Sequence, residues 1–471
     1  MISHWKKLAV TLLGLMFTSA CAVGPDYHRP EVPIPASYKE LGDWKPAQPA
    51  DTARGEWWLV YNDPVLNALE KQVSISNQTL KASEAAYREA AAAVQQAQAS
   101  FFPSVSLNGS GQRTHAASGI QSNTVSLTAD ASWAPDIWGR IHQTVTAQEA
   151  TAQASTADLA AATLSTQGTL AIDYFELRAA DQLKRLLDTT VAADQRSLHI
   201  TENQYKAGIV SKADVVQAQA QVNSVTSQAI NVGVQRSQLE HAIAVLTGRT
   251  PADFSLKPAG DIPDAPTIPI GMPSTLLERR PDIASAERHV ASANASIGVA
   301  TTAYFPNLTL TGSEGYTAAT LGKVLQASTN VWAIGPQLAF TLFDGGLREA
   351  QVKGARATYD QQAALYRQTV LTSFQQVEDN LSTLHILSEQ DKVQAQAVSS
   401  AQQATKLITN QYEAGIVAYT SVITVQTQEL GDRQTALTIR ENKLVASIQL
   451  IEALGGGWNS SALTAQADKK N

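Results

Sequence analysis

The sequence predicts a mainly α-helical protein built as a tandem duplication, with a smaller β component inside each copy. Three observations carry this reading. The phrase Asn203-Gln204-Tyr205-Lys206-Ala207-Gly208-Ile209-Val210 returns, with a single change, as Asn410-Gln411-Tyr412-Glu413-Ala414-Gly415-Ile416-Val417. An internal repeat of this kind decides the architecture before any local reading. Ala, Gln, Ser and Thr dominate and aromatics make up only 6% of 471 residues, a composition that favours long helices over compact mixed cores. Finally, the helical pattern gives way, once in each copy, to strict alternation of apolar and polar residues.

Taken from the N-terminus, residues 1–20 read as a signal peptide: Lys6 and Lys7, an apolar run from Leu8 to Phe17, then the small residues Thr18, Ser19 and Ala20. Cys21, the only cysteine, stands at the exit, which looks like a lipoprotein signal in which that cysteine becomes the lipidated first residue. Thr18 stands where such signals usually carry a large aliphatic residue, and the competing reading is ordinary cleavage leaving a free thiol. Ala22 follows rather than an aspartate, which in similar lipoproteins directs the product to the outer membrane. Beyond Cys21 no stretch approaches the ~20 apolar residues of a spanning helix.

Residues 21–62, with Pro25, Pro30, Pro33, Pro35, Pro46, Pro49 and the pair Trp57-Trp58, read as an extended arm packed on something else. The first copy, 63–248, opens with Asp63 as a cap and Pro64 in the first turn of a helix expected to run to about Phe101, where Pro103 stops it. A β-hairpin at about 103–135 follows. Val105, Leu107 and Gly109, then Val125, Leu127, Ala129, Ala131 and Trp133, alternate with small polar residues. Only Gly168 interrupts the helical pattern from Gly139 to about Tyr205, which implies a helix of ~100 Å. Gly208 suits the left-handed position after a helix, and Ser211 with Asp214 makes an S-x-x-D start for the next. A Pro-rich linker, 249–281, leads into the second copy, 282–454. There Phe305-Pro306 repeats Phe102-Pro103, a hairpin lies at about 306–343, and Trp332, Ile334, Pro336, Leu338 and Phe340 take up the alternation. A polar tail, 455–471, ends the chain. In each copy two shorter helices match one long helix in length, so they are expected to stack end to end beside it. The hairpin would then lie at one end of the rod and the repeated phrase at the other.

The helix faces are narrow. Tyr366, Val370, Phe374, Val377, Leu381 and Leu384 form a coiled-coil-like seam, and Gln, Ser, Thr and Ala fill the remaining surface. That pattern fits a helix in a single-layer wall with two side seams and two wet faces. Two hairpins supply too few strands to close a barrel alone, since about eight is the minimum. Closed strands are the only β structure that lipid tolerates. With a secretory signal in front, the expectation is an outer-membrane barrel shared between subunits, with Val125, Leu127, Trp133, Trp332, Ile334, Leu338 and Phe340 facing lipid. The competing reading is a small sandwich between helical rods.

Signals of catalysis are missing. There is no H-E-x-x-H, Walker A or G-x-G-x-x-G motif, and one cysteine excludes both a disulfide framework and a cysteine metal cluster. Met272 is the only methionine after the signal, which argues against a Met-based copper relay. Gly455-Gly456-Gly457 reads as a helix terminator and Arg279-Arg280-Pro281-Asp282 as a helix start. The net charge of −7, with no basic patch, gives no nucleic-acid footprint. The expectation is a protein that is not an enzyme and needs no cofactor or metal.

Several phrases together resemble a known family. They are Cys21 with Gly24-Pro25-Asp26-Tyr27; Trp57-Trp58 with Asp63-Pro64; Leu276-Leu277-Glu278-Arg279-Arg280-Pro281-Asp282-Ile283; Ala293-Asn294-Ala295-Ser296-Ile297-Gly298; the Phe-Pro pairs; and Ala453-Leu454-Gly455-Gly456-Gly457-Trp458. The chain resembles, over essentially its whole mature length, the outer-membrane lipoprotein channels of tripartite RND-type efflux systems, the TolC/OprM type. The resemblance implies a homotrimer whose twelve strands form one barrel in the outer membrane of a Gram-negative bacterium, continued by a twelve-helix periplasmic tunnel. It implies outer-membrane lipid, a periplasmic adaptor protein and an inner-membrane RND transporter as partners. It also implies passive conduction of drugs or other small toxic molecules, gated at periplasmic helix tips. The tip residues would be Tyr205, Gly208, Asp214, Tyr412, Gly415, Ser421 and Thr424. Asp214 resembles an acidic tip position, whereas Ser421 and Thr424 stand where TolC carries entrance-constricting aspartates. The alternatives are an outer-membrane duct of type I protein secretion and a lipid-anchored structural coiled coil without a pore.

Overall fold

A computed structural model describes residues 23–41, 55–268, 270 and 272–460. The signal segment, Cys21, residues 42–54 of the arm and the tail after 460 lie outside the described residues.

Helix α1 spans Pro64–Ser76, and the Asp63 carboxylate caps it by accepting from the Val65 and Leu66 amides at 2.8 and 3.1 Å. One continuous helix to about residue 101 is the sequence expectation, but the chain breaks at Asn77, whose ψ of 127° is extended. Helix α2, Gln78–Ala99, starts afresh there. Asn77 causes the break: its Oδ1 accepts from the Leu80 amide at 3.0 Å and its Nδ2 donates to the Leu246 carbonyl at 2.9 Å. An asparagine side chain that offers the backbone local hydrogen bonds competes with helix continuation. Strands β1, Ser104–His115, and β2, Gln121–Trp133, precede α3, Arg140–Lys206, and α4, Lys212–Leu246. The linker carries the four-residue α5, Leu276–Arg279, before α6, Pro281–Thr302. Strands β3, Asn307–Ala318, and β4, Asn330–Ala339, then α7, Leu347–Glu413, and α8, Tyr419–Ala453, complete the order.

The duplication is legible in element lengths. Helices α3 and α7 have 67 residues each, α4 and α8 have 35 each, α2 and α6 have 22 each, and β1 and β3 have 12 each. The copies differ at their front, where the 13-residue α1 of the first corresponds only to the four-residue α5 of the second. Along α7, Tyr366, Val370, Phe374, Val377, Leu381 and Leu384 are all buried, so the narrow seam is a packed one. Among the described residues no helix is long and apolar enough to cross a membrane.

The chain divides into two compact units. The first, from 23–31, 85–156 and 285–368, holds one antiparallel sheet in the order β1-β2-β3-β4. Its register sorts the strands into two faces. Val105 pairs with Ala131, Leu107 with Ala129, Trp133 with Leu310, Gly312 with Ile334 and Leu308 with Leu338. Directly paired residues share a face, so the apolar positions of all four strands line one side. Ser, Thr, Asn, Gln, Gly and Ala dominate the other. Glu314, paired with Ala129 and Trp332, and Arg113, paired with Asn123, are the charged exceptions on the apolar side.

At the foot of the sheet, Trp138 stacks on Phe305 at 4.8 Å and its Nε1 donates to the Pro306 carbonyl at 2.8 Å. The arm docks here: the Val23 amide donates to the Trp138 carbonyl at 3.3 Å, and Asn294 Nδ2 donates to the Pro25 carbonyl at 2.9 Å. Gly24 is needed for close approach, because a Cβ there would come within 2.9 Å of the Gly298 Cα. Further along, Tyr27 hydrogen-bonds Glu287, and Arg29 Nε donates to the Tyr366 hydroxyl at 3.0 Å.

The second unit, from 32–41, 55–84, 157–284 and 369–460, has a core of its own. Leu66, Leu170, Tyr174, Phe175, Leu177, Ile243, Leu444 and Ile448 are fully buried there. Trp57 and Trp58 are buried too, and the Tyr61 and Ser447 hydroxyls meet at 2.7 Å. Arg280 explains two of the sequence phrases. Its Nε and Nη2 donate to the Asp282 carboxylate at 3.0 and 2.7 Å, while Nη1 donates to the Ala453 carbonyl at 2.9 Å. A cation thus satisfies a carbonyl at the C-terminus of α8, where the helix dipole favours it. Gly455 packs its Cα on the Arg279 carbonyl, too close for any side chain.

Candidate gate at the helix tips

Both copies of the repeated phrase form the same turn. In the first, Gly208 has φ +76°, and the Ala207, Gly208 and Ile209 amides donate to the Asn203, Tyr205 and Gln204 carbonyls at 3.0, 2.9 and 2.9 Å. In the second, Gly415 has φ +74°, and Ala414, Gly415 and Ile416 repeat the bonds to Asn410, Tyr412 and Gln411 at the same distances. A left-handed residue that closes a helix end favours glycine, because a side chain strains its own backbone at positive φ.

The turns differ in how they enter the next helix. Ser211 and Asp214 form a full capping box: Asp214 Oδ2 accepts from the Ser211 amide at 2.9 Å and hydroxyl at 2.7 Å, and Ser211 Oγ accepts from the Asp214 amide at 3.4 Å. The half-buried Asp214 carboxylate is therefore engaged in starting α4. The second turn enters α8 through Ala418, which offers no side-chain cap. A missing cap costs about 1 kcal/mol at the start of α8.

The two tyrosines of the phrase have opposite fates. Tyr205 is 45% exposed, whereas Tyr412 is 4% exposed. The Tyr412 hydroxyl meets the Thr201 hydroxyl at 2.8 Å, and its ring lies 5.3 Å from that of Tyr419. Tyr412, Tyr419, Val422 and Ala218 form a buried cluster, flanked by Leu198, Ile200, Ile408, Val417 and Ile423. Residues of α3, α4, α7 and α8 thus converge on one core near the two turns. Ser421 is half-buried, and the exposed Thr424 turns its hydroxyl back onto the Thr420 carbonyl at 2.9 Å.

Three participants are absent from the sequence expectation: Thr201, Tyr419 and Asp194. Asp194 is 1% exposed, and burial pushes its carboxyl up to about 6 from 3.8. Gln221 acts in the opposite direction. Burial also raises the Tyr419 phenol, and the Asp194 charge adds to that shift. The Tyr412 phenol is raised by burial as well. No pattern around Asp194 marks it, because an aspartate on a long polar helix reads as solvated.

The sheet positions singled out in the sequence share the apolar side. Val125 and Leu127 are half-buried, and Trp133, Trp332, Ile334 and Leu338 are exposed. Phe340 follows Ala339, the last residue of β4, so it lies just past the strand. Cys21 is outside the described residues. Among the described residues no group of three or more His, Cys, Asp and Glu is placed to hold a metal.

Comparison with known proteins gives one answer. The model of a family described as outer membrane efflux protein matches residues 69–249 and 272–456. The probable efflux pump outer membrane protein SepC of Pseudomonas putida is 30% identical over 489 residues, covering 99% of this chain and 100% of its own. The probable efflux pump outer membrane protein TtgC of Pseudomonas putida is 28% identical, with 98% and 97% covered. The solved structure of the outer-membrane channel OprN superposes with a TM-score of 0.86 at 27% identity, covering 93% of this chain and 100% of that one.

Proposed function

The chain belongs to the outer membrane efflux protein family, and we propose that it is the gated outer-membrane duct of a tripartite efflux pump. The family is one of channels rather than enzymes, and its membership places the chain in a Gram-negative outer membrane. In our reading three copies share one twelve-stranded barrel and continue it as a helical tunnel in the periplasm. A periplasmic adaptor and an inner-membrane transporter of RND type supply the energy. Small toxic molecules pass by diffusion.

The observation that carries the reading is the register of the sheet. Its four strands present one apolar side and leave β1 and β4 as open edges. Lipid tolerates no open edge, so membrane insertion needs further copies to close the ring. Trp332 and Glu314 share a pair row, which suits a level near the membrane surface, where indole rings concentrate and a carboxylate is least costly. Lipidation at Cys21 fits the same arrangement. Val23 is bound at Trp138 at the foot of the sheet, and two residues of chain reach at most ~7 Å further.

In this reading the gate comprises Tyr205, Gly208, Asp214, Tyr412, Gly415, Ser421 and Thr424, with the Tyr412–Thr201 hydrogen bond as its latch. Single-channel conductance of the purified protein tests this. Tyr412→Ala removes a ring and a hydroxyl from the tip core and is expected to raise the resting conductance. A resting conductance equal to wild type would show that the gate lies elsewhere.

A further inference from the structure

We infer that Asp130 forms an acidic ring on the inner wall of the barrel that admits cations in preference to anions. The inference rests on the duct reading above, because it needs the polar side of the sheet to line the pore.

That side is almost without charge. On β1 it carries Ser104, Ser106, Asn108, Ser110, Gln112 and Thr114; on β2 it carries Ser122, Thr124, Ser126, Thr128, Asp130 and Ser132. On β3 and β4 the paired positions are Asn307, Thr309, Thr311, Ser313, Gly315 and Thr317, and Val331, Ala333, Gly335, Gln337 and Ala339. Asp130 is the single ionisable side chain among them. The loop between β1 and β2 holds no charged residue, and that between β3 and β4 holds only Lys323.

The carboxylate is also held in place. Its Oδ2 accepts from Asn108 Nδ2 at 2.7 Å and from Thr128 Oγ1 at 3.0 Å, yet the residue stays partly exposed. Its partners across the ladder are Ser106 and Ser313, and Ala333 and Gly315 lie nearby on the same side. Small neighbours leave the charge uncovered. One fixed carboxylate per copy repeats around the ring with no cation on the same wall. Rings of acidic side chains are how cation channels select by charge. The field of such a ring reaches ~8 Å into the lumen at physiological salt and ~30 Å in dilute salt. At the tips, Ser421 and Thr424 carry no charge, so the barrel rather than those positions would supply charge selection.

The test is cation block of the current carried by the purified full chain in planar bilayers in dilute KCl. Hexaamminecobalt(III), a compact trivalent cation, is added on the loop side. We expect block of wild type and of Asp130→Glu. In Asp130→Asn, and in Asp130→Ser, which matches its ladder partners, the half-blocking concentration should rise by about ten-fold or more. The reversal potential in a KCl gradient should move toward zero in the same two variants. Equal block and equal reversal potential in wild type, Asn and Ser variants overturn the inference, as does a conducting wild type that is not blocked. If one variant fails to assemble, the other decides. Folded wild type that carries no current at all would overturn the duct reading instead.

Discussion

At the scale of single residues, the proposed gate combines a latch with a built-in weakness. Tyr412 and Thr201 close a hydrogen bond inside an apolar cluster, and Asp194 sits beside that cluster almost without exposure. Its carboxyl is pushed up to about 6 from 3.8, so between those values the folded chain holds a proton that the unfolded chain releases. Stability must therefore fall as pH rises through that window, and the full penalty stands above it. At neutral pH the tip carries a buried charge, which lowers the cost of separating the helices. Burial raises Asp173 over the same window, to about 6, and Glu441, Glu452 and Glu70 to about 7, 7 and 9, so Asp194 carries one share of a decline that continues at higher pH. Asp194→Asn should remove that share. Thermal midpoints across pH should be flatter between about pH 4 and pH 6 in the variant and higher than wild type at pH 7. Parallel curves for the two proteins would mean that Asp194 is not the group that titrates there.

At the scale of elements, what could be read in advance depended on whether the cause was local. Gly208 and Gly415 close their helices through their own backbone geometry, so both ends were visible from the repeated phrase. The break at Asn77 was not, because the side chain that makes it reaches the carbonyl of Leu246, 169 residues away. The same distinction separates Tyr205 from Tyr412: near-identical neighbours in sequence, opposite burial, decided by helices from elsewhere in the chain. Alternation gave the two sides of each strand but not the register, and only the register shows Glu314 and Arg113 among the apolar rows and Asp130 as the one charge across all four strands opposite them. The register also makes a contrast between neighbours. Ile334 is on the apolar side and Ala333 on the polar side of β4. An arginine facing lipid costs up to about 2–4 kcal/mol, most at mid-membrane and less toward the surface, whereas one facing a wet lumen costs little. Ile334→Arg should therefore reduce the yield of assembled protein in outer-membrane fractions, while Ala333→Arg assembles normally. Equal yields would mean that the apolar side does not meet lipid.

At the scale of the whole molecule, the sheet poses a problem that one chain cannot solve. Two open strand edges and one polar side are each costly in a membrane, and a four-stranded sheet cannot curl into a barrel by itself. Copies joined β4 to β1 remove both edges at once, and the contact is head-to-tail, which closes only if a rotation returns to its start. Three copies give twelve strands, within the range of outer-membrane barrels and even in number. The arm adds a second constraint, since Val23 is fixed at Trp138 and a lipid on Cys21 would hold each copy at the same membrane face. A single preparation checks both features. Native mass measurement of the detergent-solubilised protein should give three chains, and denaturing intact mass should show a chain starting at Cys21 with the added mass of several acyl groups. A monomer would remove the shared barrel, and with it the ring of Asp130. An unmodified thiol at Cys21 would leave the barrel standing but take away the anchor. A Cys21→Ala variant still assembles as a trimer in this scheme, because edge pairing and the apolar face drive closure and the lipid only concentrates the chains at the membrane.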